Sequence, residues 1–374
     1  MLNKLDDFLI HQTPEPIAHP ATSDRNFYDR FWFNGYSRDG SYYFGIAMGL
    51  YPHRGVMDCA FSIVKRDGLQ RCFFGSRRAP IDRTDMSVGP FRIDVFDAMR
   101  QLRVTLDDNA SGLACDLTFS ARTAPLEESR QTMMAGTRKF FDITRLNQFG
   151  RWSGEIRTPD GDIRVDPNEC FGTKDRSWGV RNVGEPETGG APQKPKGFFF
   201  LWAPLVWSDE ITHAIFIESE KGEHITREAM VAPFYSSLEE VPEGKDPQEQ
   251  IMETTSHSVS YIPNTRLVKT AEIDLVYENG NTRVIKLEPV LKFQMKGIGY
   301  LHPEWWHGTW KGELELGHDT FDPSEIDVLH TNNVHVQQLV SASDGSRTGI
   351  GALEHVCFGP YEPYGFTKWL DGAK

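Results

Sequence analysis

Five dipeptides, Asp39-Gly40, Asp67-Gly68, Asp160-Gly161, Asn279-Gly280 and Asp344-Gly345, punctuate the chain between short apolar or alternating runs. Each supplies the positive-φ chemistry of a tight hairpin turn. The runs, among them FWFNGY, SYYFGIAMGLY, MDCAFSIV, LACDLTFSA, RVIKLEPVLKF and VHVQQLVSAS, recur about every ten residues, the spacing of sandwiches and barrels. Leu102, Val104 and Leu106 alternate with Arg103 and Thr105, and Leu314 and Leu316 with Glu313 and Glu315, so several strands have one buried face. About sixteen or seventeen candidate strands suffice for two barrels of roughly eight. The expected fold is all-β, two consecutive antiparallel β-barrel domains with few short helices. Helical signal is confined to Leu2 to His11, Leu126 to Met134 and Thr226 to Met230.

Two stretches read as loops, Glu185 to Lys196 (EPETGGAPQKPK) and Glu239 to Gln250 (EEVPEGKDPQEQ). The second has balanced strand counts on either side and sets the expected domains at 1–238 and 239–374. No internal repeat suggests a propeller or solenoid.

The formal charge of −13 argues against a nucleic-acid partner, because phosphates must be met by clustered Lys and Arg. The N-terminal stretch MLNKLDDFLIHQTPEP carries aspartates inside its apolar segment, so the expectation is a cytoplasmic protein without membrane insertion. Five scattered cysteines, with no C-x-x-C pair, are expected to be reduced core residues. Nucleotide-binding glycine motifs, the G-x-S-x-G elbow and H-E-x-x-H are all absent, and no cofactor is expected. His302 and His307, like His330 and His335, stand five apart, a spacing that puts a strand's side chains on opposite faces; no metal is expected. A homodimer is the base-rate assembly.

Charge is densest around an indole in FGTKDRSWGVR, residues 171–181. If the segment is extended, Thr173, Asp175, Ser177 and Arg181 share one face, with Lys174, Arg176, Trp178 and Val180 on the other. Arg176 then stands beside Trp178, where a guanidinium can stack on an indole.

Gly172, Asp175, Ser177, Trp178, Gly179 and Arg181 match the G-x-x-D-H-S-W-G-x-R signature of the hydroxyneurosporene-synthase-like proteins, which include carotenoid 1,2-hydratases and AttH-like proteins. The C-terminal stretches GIGYLHPEWWHGTWKGELELG, HVQQLV and GIGALEHVCFGPYEPYGF resemble an uncharacterised bacterial branch of that superfamily. The resemblance implies two lipocalin-like barrels, a greasy substrate held within or between them, and chemistry without a bound cofactor. It implies activity at Trp178 and at an aromatic-x-Asp pair, for which Trp207-Ser208-Asp209 is the nearest candidate. Arg176 replaces the signature histidine. Arginine stays charged and cannot act as a general base, but its rigid fork holds a carboxylate or phenolate oxygen.

Other proton-transfer candidates come from pattern. Glu354 projects from the apolar face formed by Ile350, Ala352, Val356 and Phe358, where desolvation raises a carboxyl pKa. Asp58, between Val56 and Ala60, is in the same position, and Tyr51 ends the strand before it. Trp305, Trp306, His307 and Trp310 form an aromatic cluster in which His307 is expected to be neutral.

The expected function is a cofactor-independent lyase acting on a small hydrophobic aromatic or isoprenoid molecule. Its reaction is acid/base addition or elimination, either hydration or retro-aldol loss of formaldehyde from a lignin-type aromatic. The candidate catalytic residues are Glu354, Asp209, His307, Arg176 and Asp175; the candidate substrate-binding residues are Trp178, Arg181, Trp207, Trp305, Tyr51 and Asp58. A non-catalytic carrier of hydrophobic ligands and a pericyclase are the alternatives.

Overall fold

The computed structural model describes residues 1–187, 190–191 and 196–374. The chain is all-β, with 23 strands and single 3-10 turns in the described residues, arranged as two barrel-like domains. All five Asp-Gly and Asn-Gly pairs lie in the connections between consecutive, mutually paired antiparallel strands.

The first sheet is a nearly closed barrel. Strands Phe27–Ser37, Tyr42–Tyr51, Val56–Lys65 and Gln70–Arg78 form a meander. Phe27–Ser37 also pairs with Cys170–Val180, which continues through Arg138–Arg157 to Ala114–Ala121, Gln101–Leu106 and Phe91–Asp97. The second sheet runs from His224–Pro233 through Glu210–Ser219, Phe198–Val206, Thr348–Phe358, Val336–Ser343, Thr282–Gln294 and Val268–Val276 to Thr254–Tyr261.

The sheets change between Val180 and Phe198, not at the expected 238/239 boundary. Phe198–Val206 pairs with Thr348–Phe358, while Leu314–Phe321 covers the edge of Gln70–Arg78 in the first sheet. Which free edge a strand completes depends on long-range pairing, and counting strands on either side of a loop does not register it. The acidic loop is also tied to the first barrel, since Arg100 donates to the carbonyls of Leu238 and Val241. The other expected loop, Glu185 to Lys196, lies partly outside the described residues.

Two expected helices are strands. Within Leu126 to Met134, Leu126–Glu127 and the start of Gln131–Ala135 pair with Arg138–Arg157; Thr226 to Met230 lies in His224–Pro233. Ladder pairing outweighs a weak local preference. Leu2 to His11 holds only the 3-10 turn Lys4–Asp7. All five cysteines are buried and free, and no described helix is long and apolar enough to cross a membrane.

Apolar side chains form three main layers. Phe33, Phe44, Phe119 and Trp152 fill the first barrel, and Phe199, Leu201, Phe216 and Leu353 the second. Trp32, Tyr43, Phe149, Trp202, Ile215, Phe293 and Leu339 form a middle layer where the sheets meet. Strands that face both a barrel core and this layer are apolar on both sides, which is why FFFLWAPLV and YYFGIAMGLY barely alternate. The motif glycine Gly172 serves the first core. A Cβ there would stand 2.4 Å from Nε1 of Trp152, whose indole N–H donates to the Asn34 carbonyl at 2.9 Å.

Candidate active site between the sheets

Period-two geometry decides which polar groups enter the middle layer. Thr173, Asp175 and Ser177 share the face that carries Arg30 and Trp32 on one neighbouring strand and Arg145 and Asn147 on the other. One transverse row runs Ser76, Asp58, Gly49, Arg30, Ser177, Arg145; the next runs Phe74, Ala60, Ala47, Trp32, Asp175, Asn147. From the second sheet, the row Ile215, Trp202, Glu354, Gln337, Phe293 belongs to the same layer. The outcome is a buried cluster of charge inside an otherwise apolar seam.

Glu128 joins the sheets. Its Oε1 accepts from Asn147 at 2.7 Å and Trp202 at 3.4 Å and lies 3.0 Å from His213 Nε2; its Oε2 accepts from Gln131 at 2.9 Å and Arg145 at 3.2 Å. Burial works against its charge, but Arg145 and His213 outweigh burial and hold its pKa down to about 2. A second tie runs from the Tyr43 hydroxyl to Oε1 of Gln337, whose amide donates to Glu354.

Glu354 is buried, as expected, yet its pKa is lowered. Desolvation is outweighed by His335, whose Nε2 stands 2.7 Å from Oε1, and by Gln337. The raised carboxyls are two others. Burial, reinforced by Glu128 and Glu354 and opposed by Arg145, pushes Asp175 up to about 6. Its Oδ2 is 3.4 Å from Arg145, its Oδ1 has no partner, and its side chain keeps 16% of its surface accessible. Burial likewise raises Asp58 to about 6 against Arg30 and the donors that it accepts from, Tyr51 at 3.2 Å and the Gly308 N–H at 2.7 Å.

Next to Gly308, His307 is buried, and its pKa is well below the ordinary histidine value through burial and then the charges of Arg30 and Arg181. Its Nε2 has no partner. Asp58, His307 and Trp305 line one cavity of about 10 Å³, room for about one water. Trp305 stacks on Phe74, with ring centroids 5.7 Å apart. Tyr300 links the two halves of the cluster: its ring lies 4.4 Å from His307, 4.8 Å from His335, 4.7 Å from the Arg30 guanidinium and 5.7 Å from that of Arg181.

The seam thus gathers Asp175, Arg181, Glu354, Asp58, Tyr51, His307 and Trp305 from the expected set. Four residues lie elsewhere. Arg176 and Trp178 are on the opposite face of the motif strand. There Arg176 Nη1 donates to Asp29 and the Arg30 carbonyl at 2.7 and 2.8 Å, its guanidinium covers Phe31, and Trp178 is exposed. Trp207 packs in the second barrel and bonds Thr212 at 3.1 Å. Asp209 is exposed in the turn that follows and pairs with Arg347. The aromatic-x-Asp spacing fails here because the strand ends at Val206, and the turn carries the carboxylate into solvent.

Arg30, Arg145, Glu128, His213, Tyr300 and His335 were not singled out as site residues from sequence. A signal existed for Arg30, a charge on the same period-two face as Tyr28, Trp32, Asn34 and Tyr36 in an aromatic strand. Glu128 gave none, since it follows a two-residue strand.

A model of a family of unknown function, DUF8625, matches residues 2–367. None of the curated proteins matches the sequence. Among solved structures, an AttH-like protein from Nitrosomonas europaea is similar with a TM-score of 0.55 at 12% identity, covering 88% of this chain and 92% of that one. Kievitone hydratase from Nectria haematococca gives a TM-score of 0.51 at 12% identity, covering 87% and 88%. CghA gives 0.50 at 11% identity, covering 89% and 88%. The shared property is the fold, which fits the hydratase and AttH-like architecture.

Proposed function

This chain belongs to the DUF8625 family, and we propose that it is a lyase of the hydratase type. It adds water to, or removes it from, a small hydrophobic aromatic or isoprenoid molecule held between the two sheets. One observation carries the reading: a neutral histidine with a free Nε2 shares a single-water cavity with one raised carboxyl, Asp58, and a second, Asp175, stands in the same seam. A carrier needs no titratable groups in its pocket, and a pericyclase needs no proton shuttle.

In this reading the cavity water is positioned by Asp58, itself fixed by Tyr51 and Gly308. Nε2 of His307 takes a proton from that water as its oxygen bonds to one alkene carbon. The proton gained by the other carbon comes from protonated Asp175, relayed across the seam through water, and the net change is addition of H₂O. Asp58 and the imidazolium then stabilise one another until His307 returns its proton through water to Asp175. That the hydratase named above has the same fold supports the choice of reaction but not of substrate.

The test is to incubate the protein with a panel of lignin-derived dimers, terpenoids and polyketides and read products by mass spectrometry. Gain or loss of one water is expected. Formaldehyde release would move the assignment to retro-aldol cleavage, an isomer of unchanged mass would make the protein a pericyclase, and tight binding without turnover would make it a carrier.

A further inference from the structure

Arg30 lies at the centre of the seam, 2% exposed, and none of its three guanidinium nitrogens has a hydrogen-bond partner. Nε of Arg181 is also unpartnered, and its guanidinium lies over the Tyr28 ring at 4.6 Å. The nearby carboxylates do not meet this need. Asp58 is two strands from Arg30 across Gly49, about 10 Å away at the backbone. Its oxygens accept from Tyr51 and Gly308 instead. The hydroxyl of Tyr51 closes the intervening space, because Gly49 has no Cβ to meet it; one there would lie 2.3 Å from that oxygen. Asp175 is directed to Arg145, and Arg176, the arginine favoured from sequence, faces away from the seam with its Nη1 bonded to Asp29 and a carbonyl.

A buried guanidinium without an acceptor is strongly disfavoured unless something supplies one. What covers Arg30 is the face of Tyr300, a ring shared with Arg181. Tyr300 sits between Gly299 (φ 93°) and Leu301 (φ 56°), the latter a left-handed conformation that a leucine rarely adopts. The cover is therefore held by a strained backbone, and a different backbone conformation there would carry the ring away.

We propose that Arg30 and Arg181 form an oxyanion-binding site under Tyr300, and that the molecule bound in the seam is aromatic or conjugated and carries a delocalised oxyanion, a carboxylate or a phenolate. The planar forks match such an oxyanion, and the Tyr28 and Tyr300 rings match its conjugated body. This rests on the seam being the binding site proposed above, but it does not depend on the reaction.

The test therefore uses non-reacting probes. Benzoate, 4-nitrophenolate and neutral benzamide are titrated against the full chain by calorimetry, with Arg30→Met, Arg181→Met and Tyr300→Ala alongside. Expected is at least tenfold tighter binding of one anion than of benzamide, with the tighter anion identifying the oxyanion; the preference is lost in Arg30→Met and reduced in Arg181→Met. In Tyr300→Ala the anion binds with a faster association rate. Arg30→Met leaves no donor unpaired, so its fold should hold; if it does not, Arg181→Met carries the comparison. Equal binding of all three probes, or an anion preference that survives both arginine substitutions, overturns the proposal. Anion binding without turnover of any substrate would leave this site standing and defeat the proposed reaction instead.

Discussion

Oδ2 of Asp58 accepts a hydrogen bond at 2.7 Å from the backbone N–H of Gly308, the residue after His307. A strand near the N-terminus thereby fixes a loop from the last third of the chain, and the two side chains come to share one cavity. If they act together, Asp58→Asn and His307→Gln should each lower turnover by about 10² to 10⁴ and leave circular dichroism unchanged. The double variant should be little worse than either single one, because groups acting as a unit are non-additive. Fully additive losses would separate their roles.

The pH profile should identify the acid. Asp175 is raised to about 6, so its protonated fraction, and with it kcat/KM for hydration, falls as pH rises through that value. Glu354 is one of the charges that raises it. Glu354→Gln should therefore move the limb to lower pH. A limb that stays in place rules out Asp175 as its source.

Stability carries the opposite signs at the two acidic centres. The raised pKa of Asp175 means that its contribution is fully present below the unfolded value of 3.8 and is lost as pH rises through about 6. Asp175→Asn should raise Tm at pH 8 and not at pH 4. Glu128, lowered to about 2, contributes above its unfolded value of 4.5, and that contribution is lost as pH falls towards 2. Glu128→Gln should destabilise by about 3–5 kcal/mol at pH 7, because buried Arg145 loses its ion pair with Glu128 and keeps only the 3.4 Å contact to Asp175. Differential scanning calorimetry across pH checks both.

Arg176 should matter little. Its pair with Asp29 is partly exposed, and it faces away from the seam. Arg176→Met should cost at most about 1 kcal/mol and leave kcat/KM within twofold. A loss of orders of magnitude would return the substrate to the opposite face of the motif strand.

These expectations show what was legible in the sequence. The Asp-Gly turns marked real hairpins because positive φ is a local demand. The two faces of FGTKDRSWGVR were separated correctly because period two is also local. Which face would meet a second sheet was not local: it depended on Phe198–Val206 pairing with Thr348–Phe358 and turning Trp202 and Glu354 towards Trp32 and Asp175. The burial of Glu354 was legible in its apolar neighbours. Its lowered pKa was not, since His335 lies on the next strand. Glu128 and Arg30 acquire their meaning only when both sheets are in place.

Oxygen isotope incorporation tests the proposed reaction most directly. With the reaction found by the panel run in the direction that adds water, turnover in H₂¹⁸O should place one labelled oxygen in the hydrated product of the wild-type chain, and His307→Gln should give almost no labelled product in the same time. A product that gains no label, or labelling at an undiminished rate in His307→Gln, would contradict attack by a water held between Asp58 and His307.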